Sequence, residues 1–327
     1  MTERPLIIGP DWLALQFEVK REHAGWRADI FISNQIPRLS RTRVKRILEK
    51  SAFDDTGKPV KPNRTLFEGE RITIYRPPPE EPDVPRHFAV LYEDDSILAI
   101  DKPPGLPVHP TARYHRNTLT ALLREKYGED RPILAHRIDS ETSGVLILAK
   151  TKTAERILKK RFADRKVQKK YLALVFGCPE PPDGRVEVPL GVDPAGVVKV
   201  KMAGREDGLP ALTEYRTLER LADAAVLECL PRTGRQHQIR AHLSLIGHPI
   251  IGDKMYGPDP ALFLDYIDNG PTDEILKRAG ARRHYLHAAA ISFAHPVTDA
   301  PFSIECPLPQ DMTDEISARR TAGASTG

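Results

Sequence analysis

Apolar residues recur along this chain in two rhythms, and each marks off a different kind of element. Val44, Ile47 and Leu48 repeat at helical spacing and predict a helix over residues 41–50. Ser40 is placed to cap it, and Leu39 to close on Val44 as a hydrophobic staple. The same spacing turns Arg41, Arg43, Lys45 and Arg46 mostly outwards. Residues 71–75 alternate instead, as a strand does. Further along, short apolar runs between glycines and prolines predict strands at 96–100, 145–149, 171–176 and 224–230. Another helix is expected to open at Thr233, where Thr233 and Gln236 form a capping-box pattern, and to close at Gly247 and Pro249. Its Ile239, Leu243 and Ile246 make a core face, while His237, Arg240 and Ser244 share a different one.

Residues 76–86 hold five prolines (Pro77, Pro78, Pro79, Pro82, Pro85) mixed with acids, the composition of a stiff, extended linker. The expected organisation is an N-terminal tail at 1–13, a small domain at 14–76, the linker at 77–87 and a large domain at 88–310. A polar, small-residue stretch at 311–327 predicts a flexible tail. Strands and helices do not alternate regularly, so the fold class expected is α+β with a mainly antiparallel sheet. No internal repeat is visible.

At 327 residues, with 40% hydrophobic and 29% charged, the chain has room for two domains and at least one sizeable core. No run of eighteen apolar residues predicts a membrane span. Residues 1–11 lack the basic start and apolar run of a secretion signal. Cys178, Cys229 and Cys306 are odd in number and far apart, which suits a reducing cytoplasm better than a disulfide framework or a zinc site. The net charge is only +4, but it is concentrated. Residues 150–170 carry ten Lys or Arg against Glu155 and Asp164, and residues 38–50 carry six against Glu49. One such run is ordinarily a solvated helix face. Two in separate regions point towards a polyanion, whose counterions they would release.

Three stretches carry candidate chemistry. In residues 92–110, Asp101-Lys102-Pro103-Pro104-Gly105 follows a strand and places polar groups at a sheet edge. Residues 136–144 read His-Arg-Ile-Asp-Ser-Glu-Thr-Ser-Gly and run into the apolar strand at 145–149. On such a loop Asp139 is either a nucleophile or base, or a structural residue capping its own turn with Thr142 and Ser143. Residues 231–257 include Arg232-Thr233-Gly234-Arg235-Gln236-His237-Gln238-Ile239-Arg240, and Arg240 there is either solvated or paired with a carboxylate.

Together with the Lys170-Tyr171-Leu172-Ala173-Leu174 strand, and with Leu286-His287-Ala288 followed by Phe293-Ala294-His295-Pro296, these motifs resemble the RluA-type pseudouridine synthase family. The resemblance covers residues 88–310. It implies a mixed, mainly antiparallel sheet flanked by helices and loops, with Asp139 as catalytic carboxylate and Tyr171 and Arg240 beside it. It also implies RNA contacts at His136, Arg137, Thr142, Lys170, Arg235 and His237. Residues 14–76, with Gly25-Trp26-Arg27-Ala28-Asp29, Leu39-Ser40-Arg41 and Glu68-Gly69-Glu70-Arg71-Ile72, resemble a small α/β RNA-binding domain shared with a ribosomal small-subunit protein. Arg41, Arg43, Lys45 and Arg46 would meet RNA there. Three places depart from the pattern: Ser140, the apparent insertion at 258–283, and residues 51–57, which replace a Gly-x-Val-x-Val-Asn-Gly hairpin.

The implied reaction detaches uracil from ribose, rotates it and rejoins it through carbon. It is redox-neutral, and the chain has no Walker loop or dinucleotide fingerprint, so no cofactor and no metal are expected. The carboxylate would attack the sugar, deprotonate it or attack the ring. The target base must be unpaired or flipped, and Arg137 is placed to fill the vacated stack or to hold a phosphate. Large-subunit ribosomal RNA is the first expected partner and transfer RNA the second, met by a cytoplasmic monomer. Two other readings compete. A metal-dependent hydrolase needs convergent ligands, yet His237 and His242 are five apart and no His-Glu-x-x-His occurs. A catalytically silent RNA-binding or ribosome-assembly protein would share the fold without the chemistry.

Overall fold

In the computed structural model the chain is described at residues 8–9, 12–37, 39–77, 81–111, 114–194, 196, 198, 200–259 and 261–324. It divides into two units, Met1–Glu80 and Glu81–Gly327. In the smaller, strand Arg71–Arg76 lies between Leu13–Glu18 and Ala52–Asp54, antiparallel to both. Helices Ala28–Gln35 and Arg41–Ser51 pack on this sheet through Phe31, Ile32, Val44 and Leu48, all fully buried. Ser40 caps the second helix by accepting from Arg43 N at 3.4 Å, and Leu39 packs against the same cluster. The departure at 51–57 is a tight turn tied by Asp54, whose Oδ1 accepts from Thr56 N and Lys58 N. Arg38, Pro78 and Pro79, most of the expected N-terminal tail and residues 325–327 lie outside the described residues.

The larger unit is built on a ten-stranded sheet. Its main path runs Ala89–Glu93, Ile97–Lys102, Ser143–Ala149, Leu286–Ala294, Gln168–Phe176, Ala224–Pro231, Thr213–Arg220, Asp183–Val186. The Leu286–Ala294 strand meets Ser143–Ala149 in parallel, and every other pairing in the sheet is antiparallel. The apolar run at 145–149 follows from its central position. Val145, Ile147 and Ala149 pack on one face, against helix Lys152–Ala163. Leu146 and Leu148 pack on the other, against helix Leu119–Tyr127. With both faces covered, the strand has no solvent side and shows no alternation.

Two expectations need correction. The helix expected from Thr233 begins at Gln238, as Gln238–Leu245. His237 precedes it in the left-handed region at φ 54°, so the capping-box pattern never forms. Residues expected as a loose tail form helix Gln310–Ala324, anchored by buried Met312 and Ile316 at i, i+4 spacing. Residues 81–86 are extended but not free. Glu81 accepts from the backbone of Arg116 and Asn117, and Asn117 Nδ2 donates to Pro82 O. The 258–283 stretch folds as two short helices, Leu262–Asn269 and Asp273–Ala279, joined by Arg278 ion pairs to Asp259 and Asp265.

Candidate active site

The loop before strand Ser143–Ala149 is fastened by backbone and side-chain hydrogen bonds in which the Asp139 carboxylate takes no part. Lys102, fully buried, donates to the carbonyls of Pro103, Leu106 and Ser140 at 2.7–3.0 Å. Gly105 N also donates to Ser140 O, at 2.8 Å. Burial, and then the nearby Arg283 charge, push the Lys102 amine down to about 7, although Asp139, Asp101 and Glu141 pull the other way. Glu141 is tied to Lys254 Nζ at 2.9 and 3.1 Å and to His284 N at 2.9 Å. Thr142 Oγ1 bonds His284 Nε2 at 2.9 Å, and Ser143 Oγ bonds His287 Nδ1 at 3.0 Å. Gly144, at φ 102°, lies where any Cβ would collide with the Ala288 carbonyl. Thr142 and Ser143 therefore do not serve as partners of the Asp139 carboxylate. That group is left to face Arg240.

Helix Gln238–Leu245 brings Arg240 there across 101 residues of sequence. Gln238, buried at its first position, folds the preceding loop inwards. Its Oε1 accepts from the Thr233 hydroxyl and Arg235 N, and its Nε2 donates to Leu212 O and Thr213 Oγ1. The Arg240 guanidinium then meets two carboxylates. Nε and Nη2 donate to Asp253 at 2.6 and 2.8 Å, while Nη1 donates to Asp139 Oδ2 at 2.8 Å. The bidentate fork lies on Asp253, and Asp139 receives a single bond. Asp253 is itself fixed by Met255 N and Tyr256 N, each 3.0 Å from Oδ1, and the Tyr256 ring lies 5.0 Å from the guanidinium. Burial on its own would raise the Asp139 carboxyl, but the Arg240 charge and hydrogen bond outweigh it and hold the group below its usual range. Asp253 is held well below as well, against the same burial and by the same arginine.

Asp139 and Arg240 line a cavity of about 450 Å³ together with Arg137, Lys169, Tyr171, Arg235 and His237. Burial, then the Asp139 charge, keeps the Tyr171 hydroxyl protonated well above its ordinary range. His237 bonds Tyr256 Oη through Nδ1 at 3.1 Å and brings Nε2 within 3.9 Å of Asp139 Oδ1; burial pushes its imidazole down to about 4. Arg137 is exposed, and among the described residues it has no acidic partner. The Arg235 side chain donates to Pro210 O and, among the described residues, has no acidic partner.

Some other expected contacts bond within the protein. His136 accepts from Ile147 N at 3.0 Å and stacks on Phe162 at 4.6 Å, and Thr142 is buried on His284. Both also line the cavity of Asp139. Lys170 lies in a neighbouring hollow, 3.3 Å from Glu305. Arg41, Arg43, Lys45 and Arg46 are exposed on their helix in the smaller unit. His242 does not converge with His237: its two ring nitrogens bond Thr213 Oγ1 and Val188 O. No group of three His, Cys, Asp or Glu able to hold a metal ion occurs among the described residues, and none of their helices is long and apolar enough to cross a membrane. Sequence reasoning missed Asp253, Tyr256, Lys254 and Lys169. Asp253 and Tyr256 stand inside the third motif stretch, but nothing local marks them as partners of Arg240.

Comparison with known proteins places this geometry. A family model described as RNA pseudouridylate synthase matches residues 96–245. An uncharacterized RNA pseudouridine synthase of Bacillus subtilis, YlyB, is 33% identical over 94% of this chain and 99% of its own length. A ribosomal large subunit pseudouridine synthase D of Xanthomonas campestris is 36% identical over 92% of this chain and 91% of its own. The solved structure titled human RNA pseudouridylate synthase domain containing 4 aligns with a TM-score of 0.56 at 27% identity, covering 71% of this chain and 93% of that one.

Proposed function

Because the chain belongs to the RluA-type family of RNA pseudouridine synthases, we propose that Asp139 is the carboxylate with which it isomerises uridine in large-subunit ribosomal RNA. The observation that carries the assignment is the single Arg240 bond that keeps Asp139 ionised on the wall of the cavity. An ionised carboxylate is what attack on the sugar, deprotonation of the sugar or attack on the ring all require. The cavity volume of about 450 Å³ suits one nucleotide rather than a duplex. A paired uridine must therefore be flipped out, at about a few kcal/mol.

Tyr171 supplies a flat wall and a protonated hydroxyl beside the base. Arg137, Arg235 and Lys169 line the cavity without carboxylate partners among the described residues, in contrast to many surface arginines of this chain, such as Arg216 and Arg320, which pair with acids. Uncompensated positive charge around a polar cavity favours a phosphodiester ligand. The relatives named for the large ribosomal subunit support that RNA as substrate, and the exposed basic helix of the smaller unit adds affinity for it. The enzyme works as a monomer in the cytoplasm.

Pseudouridine mapping on unmodified large-subunit ribosomal RNA, after incubation with the purified protein, tests the assignment. Discrete new pseudouridines are expected, and none with Asp139→Asn. Modification confined to transfer RNA would overturn the substrate.

A further inference from the structure

Among the described residues, Lys169 is a cation without a counter-charge. Its Nζ donates to the Thr233 carbonyl at 2.7 Å, and among the described residues no carboxylate pairs with it. It is half-buried, and loss of hydration pushes its amine down to about 8. A desolvated ammonium facing only a carbonyl is unfavourable on its own, and an arriving anion would relieve it. The neighbouring Lys170 differs, because Glu305 already stands 3.3 Å from its amine.

Position gives this uncompensated charge a meaning. The 450 Å³ cavity of Asp139 borders a second hollow of about 330 Å³, and Arg165, Val167, Lys169, Pro231 and Arg232 line both. A chain that leaves a nucleotide in the first must pass these residues to enter the second. Arg232 is engaged with Glu214 at 2.6 Å. Arg165 is exposed, has no ion pair among the described residues, and holds the left-handed backbone region at φ 59°, which a non-glycine residue seldom adopts.

We propose that Lys169 and Arg165 form a phosphate subsite that grips the RNA backbone at the linkage between the target uridine and its neighbour. The proposal rests on the cavity being the uridine pocket. It accounts for a charged wall between two hollows, and it places the subsite on Lys169 rather than on Lys170.

The test uses the full-length protein with Lys169→Met, Lys169→Arg and Arg165→Asn, the last because asparagine tolerates the left-handed backbone. Binding of a fluorescent ten-residue oligouridylate is measured across a salt titration, and turnover is measured on unmodified large-subunit ribosomal RNA. Lys169→Met is expected to weaken binding about tenfold and to flatten the slope of log affinity against log salt by about 0.7, the value for one lost contact to a single strand. Lys169→Arg should keep the wild-type slope. Arg165→Asn, at an exposed site where folding is not at stake, should flatten it by a similar amount. KM should rise in both neutral variants, with kcat largely kept. Wild-type slopes in Lys169→Met and Arg165→Asn, with wild-type turnover intact, would overturn the subsite and leave the pocket reading standing. Absence of turnover by the wild-type protein would instead remove the premise.

Discussion

Asp253→Asn isolates the clamp that aims Arg240. Asp253 Oδ1 accepts from Arg240 Nη2, Met255 N and Tyr256 N, whereas among the described residues Oδ2 accepts only from Arg240 Nε at 2.6 Å. An asparagine with its oxygen in the Oδ1 position keeps three of the four bonds. It loses the fourth, turns an N–H against the Nε–H, and leaves Arg240 with Asp139 as its remaining anion. A lost hydrogen bond to a charged group costs about 1.5–3 kcal/mol, and a fully broken buried pair about 3–5 kcal/mol. Since Asp253 is buried and the substitution keeps the shape, a loss of about 2–4 kcal/mol in unfolding free energy is expected. The catalytic effect should be separate and larger. Freed from its fork, the guanidinium can draw Asp139 into a bidentate pair, and a misplacement of about 1 Å costs on the order of 100-fold in rate. Urea unfolding reads the first quantity. Single-turnover release of tritium from RNA labelled at uracil C5 reads the second, with RNA affinity measured alongside. A variant that loses the expected stability yet turns over within about twofold of wild type would refute the claim that Asp253 aims the site.

Acid should destabilise the protein before its carboxylates titrate. Burial holds His136 at about 3 (Lys169 adding to it), His237 at about 4 against the pull of Asp139, and His284 at about 4 with the Arg240 charge adding to it. The unfolded chain takes up these protons near pH 6.5 and the folded chain does not, so stability present above pH 6.5 is lost as pH falls towards 4, by roughly 1–2 kcal/mol per histidine at pH 5. A urea midpoint unchanged between pH 7.5 and pH 5 would contradict this. In the smaller unit, replacing Arg41, Arg43, Lys45 and Arg46 with serine should lower RNA affinity and flatten its salt dependence without changing single-turnover rates at saturating enzyme. An unaltered salt titration would show that this helix is merely solvated.

The parts of the fold legible in the sequence are those whose signal is local. The helix after Ser40 carries its own cap and staple, and the strand at 145–149 is an uninterrupted apolar run because both its faces are covered. Helix Gln310–Ala324 was hidden because, among its described side chains, only Met312 and Ile316 reach the core. Its polar remainder pairs elsewhere, as Arg319 does with Asp223 and Arg320 with Glu219. The capping-box pattern at Thr233 misled because tertiary partners, Leu212 and Thr213, recruit Gln238 and fold residues 233–237 as a loop. At the site, local chemistry left Asp139 open between a turn residue and a reacting group. The resemblance, not the spacing, joined it to Arg240. Nothing in the sequence showed that the fork of Arg240 would rest on Asp253. Nor did it distinguish Lys169 from Lys170, since adjacent lysines differ only in what the folded sheet brings near them.

One comparison tests the role of Asp139 most directly. Wild-type protein and Asp139→Asn, matched by circular dichroism and by RNA affinity, are incubated with large-subunit ribosomal RNA transcribed without modification, and pseudouridine is mapped at single-nucleotide resolution. Asparagine keeps the shape and an acceptor for Arg240 Nη1 but cannot act as a carboxylate. The wild-type protein is predicted to convert discrete uridines and the variant none. Conversion by Asp139→Asn at a rate near wild type would contradict the assignment of the chemistry to this carboxylate.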